Sequence, residues 1–401
     1  MIKKKTSCGL AAGLALTLGL TLAPPAMAAQ PALASVTAAT SQSATSTLSA
    51  KAQAALDRLP ADWQARVAAA AERFGVDHTT WSEQTAGVID GSGYVCGSTP
   101  VQDWLRAQLA GISSESLYLL DDLAGFDLAT YDALLYGQES KSNRFGLDGS
   151  YTNDLNRTMT GLKSFWDFDG SDIQLIPMNG STYRSIDRMV QVYVNLYGLD
   201  ADTAELFAEV VQEVIASEPG LRGGDNPYFT FNAFAFDPAP EDIEEFPGLT
   251  KRIVMGDGVL AGLSGIGLQD KAAPLGVLAH EYGHQVQYAN DLFDSPLTGP
   301  EATRRTELMA DAYGTYYLVH ARGGALNAAR TLDVAASFYN VGDCAFDNDG
   351  HHGTPNQRLA SSQFAVDVVD AAPNQGHKLG ALEFDAKFEE VLPSLVAPDA
   401  P

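Results

Sequence analysis

The chain has 401 residues, 45% of them hydrophobic, which is enough apolar material for one large core or two smaller ones. Fifty acids against 25 bases give a formal net charge of −25. Such a surface repels phosphate backbones and anionic membranes, which excludes nucleic acid as a partner.

Lys3, Lys4 and Lys5 precede an apolar stretch over 8–22, followed by Pro24, Pro25 and the small-residue run Ala26-Met27-Ala28. This is the pattern of a secretory signal peptide spanning 1–28, and it predicts a secreted chain, extracellular or periplasmic. Gly9, Gly13 and Gly19 leave the stretch short for a bilayer span, and no later segment reads as membrane-spanning, so no membrane partner is expected after cleavage. Cys8 stands at the beginning of the apolar region, the wrong place for a lipid anchor. Cleavage leaves Cys96 and Cys344, which an oxidising compartment favours as a disulfide; two buried thiols are the alternative.

Residues 29–50 are mostly Ala, Ser, Thr and Gln and read as a low-complexity linker or the start of a propeptide. From Lys51 on, Ala55, Leu56, Leu59, Trp63, Val67, Ala70 and Phe74 recur at helical spacing, and 101–136 continues in that style. The turn-forming run at 90–100 between them reads as a loop tied down by Cys96. A strand is expected at 173–177 and helices at 186–196 and 201–216, completing a mainly helical region over 51–225. The run Glu218-Pro-Gly-Leu-Arg-Gly-Gly-Asp-Asn-Pro227 marks a boundary. Beyond it, 226–370 reads as a second domain. Alternating aromatics predict a strand over 228–236, a shorter strand fits 252–255, and helices follow over 274–290, 301–321, 325–340 and 356–369. Residues 371–401 are expected to form a C-terminal tail with a mobile end. The fold class is α+β and mainly helical, with a small sheet.

Within the helix at 274–290, His280-Glu281-Tyr-Gly-His284 is an HExxH motif. One helical turn separates the two histidines, so both imidazoles reach a single cation while Glu281 stands beside it. Two imidazoles and one carboxylate suit zinc and leave a position for water, with Glu281 as general base. The third ligand is expected from Glu307, and Asp311, one turn further on the same face, is placed to accept the free N–H of a ligating histidine. A metzincin extension would need glycine at 287 and histidine at 290, where this chain has Gln287 and Asn290. A di-iron bundle would need a second Glu-x-x-His pair, and Glu281-x-x-His284 is the one such pair in the sequence. Finally, His351-His352-Gly-Thr-Pro-Asn-Gln-Arg358 runs from a loop into a helix. It offers a histidine and an arginine for oxyanion stabilisation, or else a solvated turn beside Asp347 and Asp349. The Asp-rich turns at 167–172 and 343–349 do not fit a calcium loop and read as solvated turns.

The three segments, His280 to His284, Glu307-Leu-Met-Ala-Asp311 and His352-Gly-Thr-Pro-Asn-Gln-Arg358, together resemble the bacterial neutral zinc metallopeptidases. Asn232-Ala-Phe-Ala235, Gly258-Val-Leu260 and the His352/Arg358 spacing are also similar to the HtpX-like metallopeptidases of gluzincin type. The likeness covers about 226–370. Gln285 departs from it where the neutral metallopeptidases carry a further histidine, and the transmembrane helices of the HtpX-like proteins are missing. The resemblance implies a zincin-like catalytic domain holding one zinc, with a peptide or protein substrate. It implies that Asn232, Ala233, Phe234 and Ala235 lie on an edge strand along which an extended peptide binds. It gives His352 an oxyanion or substrate contact and Arg358 an orienting charge. Two other readings stay open on sequence: a catalytically inactive zincin-fold binding protein, and a zinc amidase acting on cell-wall peptides.

Overall fold

The computed structural model describes residues 13–15, 49–74, 91–238, 246, 248–268, 271–346, 350–374 and 376–399. Most of the expected leader, the low-complexity stretch up to residue 48, and Asp347 and Asp349 lie outside the described residues.

Helices α1 (Ala50–Leu56), α2 (Trp63–Phe74), α3 (Pro100–Gln108), α4 (Ser114–Asp122), α5 (Leu128–Tyr136) and α6 (Thr152–Phe165) lead into strand β1 (Gln174–Met178). Helices α7 (Ile186–Asn195) and α8 (Ala201–Ser217) precede β2 (Asn232–Phe236) and β3 (Arg252–Gly256). Helices α9 (Asp257–Gly265), α10 (Ala272–Ala289), α11 (Pro300–Val319), α12 (Ala328–Val341), α13 (Pro355–Asp370) and α14 (Ala381–Leu395) follow among the described residues. The fold is mainly helical α+β, as the sequence pattern predicts.

The stretch expected to be helical over 101–136 is broken in two places, after Gln108 and after Asp122. Ser113 caps α4 by accepting from the Ser116 N–H, and Gly111 supplies the left-handed turn before it. The strand expected over 228–236 begins four residues late. Pro227 fixes a helical φ, and the Asn226 side chain accepts from the Tyr228 N–H, so Pro227–Thr230 forms a short 3-10 turn.

β3 is central, with β1 parallel on one side and β2 antiparallel on the other. The sheet thus takes strands from both sides of the boundary expected near residue 225, and it is covered on both faces. Period-two alternation sends Ile176, Met178, Phe234, Phe236 and Val254 into one core with α2, α5, α7 and α8. It sends Leu175, Ala233, Ala235, Ile253 and Met255 into the other, with α6 and α9 to α14. The backbone of Gly13–Ala15 pairs antiparallel with the outer edge of β2, Leu14 opposite Ala233. Removal of a leader ending at Ala28 would leave that edge unpaired.

α10 lies against the second face of the sheet. Ala233 and Ala235 are the small residues there, and their size lets the helix approach closely enough for Gln285 Nε2 to donate to the carbonyls of Phe236 and Arg252, both at 3.1 Å. Gln285 thus fastens helix to sheet. On its other side α10 crosses α11 in backbone contact. A Cβ on Gly283 would stand 2.9 Å from the Ala310 carbonyl oxygen, and one on Gly314 would stand 2.8 Å from the His280 nitrogen. These two glycines set the helix spacing that places Glu307 opposite the histidines.

The expected tail contains α14, whose Phe384 and Phe388 are fully buried. Ala381 accepts from Tyr313 Oη of α11 at 2.9 Å, so this segment is part of the core and not a free end. Among the described residues no helix is long and apolar enough to cross a membrane.

Candidate metal centre

α10 is buried along nearly its whole length because the sheet, α6, α11 and α12 surround it. His280, Glu281 and His284 are each 0% exposed, so whatever polar work they do takes place out of bulk water. The three present ligand atoms within 4.8 Å of one another, and this buried group could hold a metal ion. Glu307 approaches closer still: its two oxygens lie 3.3 Å from His280 Nε2 and 3.3 Å from His284 Nε2. The two Nε2 atoms are 3.1 Å apart.

The outer nitrogens of both imidazoles are engaged. His280 Nδ1 is 2.8 Å from Asp311 Oδ1, and a carboxylate can only accept, so Nδ1 carries the hydrogen. Asp311 is itself held by Arg358, whose Nε and NH2 donate to its two oxygens at 2.8 and 2.7 Å. His284 Nδ1 is 2.8 Å from Gln287 Oε1, and Gln287 Nε2 donates to the Thr306 carbonyl at 2.7 Å. That second bond fixes which way the amide faces, so His284 Nδ1 must also be the donor. In their neutral forms both imidazoles then aim a bare Nε2 lone pair at one point, joined there by a carboxylate. Three acceptors converging at such distances repel one another unless a cation or a shared proton lies between them.

In the protein alone, protons meet part of that need. Burial pulls His280 down, but hydrogen bonds to Asp311 and Glu307 outweigh it and raise its pKa to about 9. Burial also lowers the pKa of His284, with Glu307 pulling the other way. Glu307 is raised by burial, yet the charges of His352 and His284 and its hydrogen bonds leave it well below the ordinary carboxylate range. Glu281 is different: burial raises it to about 8, and neither of its oxygens has a hydrogen-bond partner. A fully buried carboxyl with both oxygens unengaged is costly unless something absent from the chain completes it.

His352 lies in the loop between α12 and α13, 2% exposed; in the turn expected to be solvated at 343–349, Asp343 is buried while Cys344 is exposed. Asp343, at 8% exposure, takes His351 Nδ1 on one oxygen at 2.5 Å. Its other oxygen takes the His352 backbone N–H at 2.8 Å and His352 Nδ1 at 3.0 Å. Burial lowers His352, but Glu307 and Asp343 raise it to about 9. The left-handed Gly353 and the Thr354 capping box with Gln357 then start α13, which carries Arg358 one turn in.

Every residue expected at the metal site is in this assembly: His280, Glu281, His284, Glu307, Asp311, His352 and Arg358. Cys96 and Cys344 form a disulfide, Cα–Cα 5.8 Å. Asn232 to Ala235 do lie in a strand, but among the described residues it is not an edge: β3 pairs on one side and the backbone of Gly13–Ala15 on the other, and the Phe234 side chain packs into the opposite core. Gln287 and Asp343 hold histidines of this cluster and were not among the expected site residues. The first had a signal, since it stands three residues from His284 on the same helix; the second, nine residues from His352 across a loop, lay in the Asp-rich run that reads as a solvated turn.

No family model, curated protein or solved structure matches this chain.

Proposed function

We propose that this chain is a secreted zinc-dependent peptidase, with His280, His284 and Glu307 as ligands and Glu281 as general base. The observation that carries the reading is the convergence of two Nε2 lone pairs and a carboxylate at separations of 3.1, 3.3 and 3.3 Å. Three donors on one face of a tetrahedron, with bonds of about 2.0–2.1 Å to a central zinc, stand about 3.3–3.4 Å apart. The nitrogen and oxygen donors suit zinc, and all three can be deprotonated.

Zinc would supply Lewis acidity, polarising a substrate carbonyl and bringing a water toward ionisation at neutral pH. Glu281, adjacent to the ligands and free of other bonds, takes the water's proton and returns it to the leaving amine. A carboxyl held near pKa 8 by burial becomes a carboxylate once a cation stands beside it, which is the state the base needs. His352, held by Asp343 and charged, donates from Nε2 to the developing oxyanion. Arg358 keeps Asp311, and through it His280, in the ligating tautomer. With residues 13–15 removed along with the proposed leader, the outer edge of β2 would offer backbone groups for an extended peptide, a strand addition that favours a peptide substrate over a compact one. The signal-like leader and the disulfide support an oxidising location outside the cytoplasm.

The experiment is zinc content and hydrolysis of casein and short peptides for the chain without its leader and for Glu281→Gln. The reading requires about one zinc per chain in both proteins, with turnover lowered by about 10²–10⁴ in the variant alone. Zinc in both and no hydrolysis by the wild type of any peptide would favour a non-catalytic binding protein. Hydrolysis of cell-wall peptides alone would favour an amidase.

A further inference from the structure

His352 reaches the metal centre from a loop, yet the loop is fastened from outside the centre. Asp343 has both oxygens engaged by the His351-His352 pair, so it dictates that His352 Nδ1 is the donor toward it and turns Nε2 away. Asp343 is in turn fastened through its chain neighbours. Cys344 is bonded to Cys96, and the segment preceding and opening α3 lies over the loop. Thr99 Oγ1 donates to the Asn340 carbonyl at 2.6 Å and Gln102 Nε2 to the Gly342 carbonyl at 3.2 Å. The Tyr94 ring stacks on Phe346 at 5.3 Å, and Phe346 lies 5.0 Å from the His351 ring.

The same segment is anchored at its far side to the end of the chain. Tyr94 Oη donates to the Val396 carbonyl at 3.0 Å, and the Val95 N–H to Asp399 Oδ1 at 2.8 Å. Asp399 Oδ2 also accepts from Asn356 in the first turn of α13 at 2.8 Å. Residues 94–102, 340–346 and 396–399 thus form a clasp around the His352 loop. The three proposed ligands are held separately, by α10, α11, Gln287 and the Asp311–Arg358 pair.

We propose that Asp343 is a positioning residue that sets His352 for the reaction, and that the Cys96–Cys344 bridge with the 94–102 segment sets Asp343. The clasp acts on the histidine arm and leaves the metal alone. The catalytic consequence rests on the peptidase reading; the positioning itself does not.

The test uses the chain without its leader, loaded with zinc, as wild type, Asp343→Asn, the double variant Cys96→Ser/Cys344→Ser, and each of these combined with His352→Ala. The first readout is the imidazole Nδ1–H resonance of His352 in ¹⁵N-histidine-labelled protein, identified by its loss in His352→Ala. A slowly exchanging signal is expected in the wild type. It should vanish in Asp343→Asn and broaden or shift in the clasp variant, at a temperature where both retain native circular dichroism and full zinc content. The second readout is kinetic. In both variants kcat should fall by about 10–100-fold with little change in KM, and neither change should lower kcat further once His352 is alanine. An unaltered His352 signal in the clasp variant overturns the proposal. So does a clasp effect of equal size in the His352→Ala background, which would mark the bridge as a general staple. If no protein hydrolyses peptides, the peptidase reading fails, and the resonance still decides whether the clasp holds His352.

Discussion

Gln287 gives the cleanest perturbation of the metal centre, because it touches neither the cation position nor any charged group. Its amide oxygen holds His284 Nδ1 at 2.8 Å and its amide nitrogen is held by the Thr306 carbonyl at 2.7 Å. Replacing it with leucine keeps the volume and removes both bonds. The Thr306 carbonyl still has its own helix for a partner, since it lies inside α11. His284 Nδ1–H does not; it is buried at a residue 0% exposed, and the imidazole is free to place its hydrogen on Nε2, where it cannot ligate. Loss of such an orienting partner weakens metal binding by about 10–100-fold, or about 1.4–2.8 kcal/mol. Competition against a chromogenic chelator measures this directly, with circular dichroism to show that the variant is folded. Gln287→Glu should also bind zinc less tightly, because a carboxylate cannot donate to Thr306 and is left with one partner fewer. A folded Gln287→Leu protein with wild-type zinc affinity would refute the argument that fixed tautomers create the site. That result would stand whether or not the chain is a peptidase.

Arg358→Met should lower stability by about 3–5 kcal/mol in urea unfolding, because it strands the fully buried Asp311 charge; a loss under 1 kcal/mol would contradict the buried-pair account. Gly314→Ala places a methyl 2.8 Å from backbone atoms of α10, contact that no side-chain rotation relieves, so it should cost about 1–3 kcal/mol and weaken zinc binding by separating Glu307 from the histidines. His280, raised to about 9, holds a proton that a metal must displace, so apparent zinc affinity should fall about tenfold for each pH unit below that value from this group alone. Zinc titrations at several pH values check the slope. The metal-free protein should show the opposite sense: a histidine pKa raised above 6.5 stabilises fully below 6.5 and loses that contribution as pH rises through about 9, so its melting temperature should drop over that window.

The sequence by itself determined the local chemistry. Helical periodicity put His280 and His284 on one face, the acid spacing put Glu307 and Asp311 on another, and β-alternation around Phe234 marked a strand, since these are consequences of residue spacing along one element. For Cys96 and Cys344 the sequence favoured a disulfide only through the expected oxidising compartment and left two buried thiols open; the structure pairs them. Tertiary packing decided the rest. Only the helix crossing at Gly283 and Gly314 could show that Glu307 faces both imidazoles and not solvent. Only the sheet, drawing β1 from before residue 225 and β2 and β3 from after it, could show that the two expected regions share one structure. The Gln287 and Asp343 supports, the core role of α14 and the clasp over His352 depend on contacts between segments up to about 300 residues apart, such as Tyr94 with Val396. No periodicity encodes such contacts, because they arise from how completed elements fill space against one another.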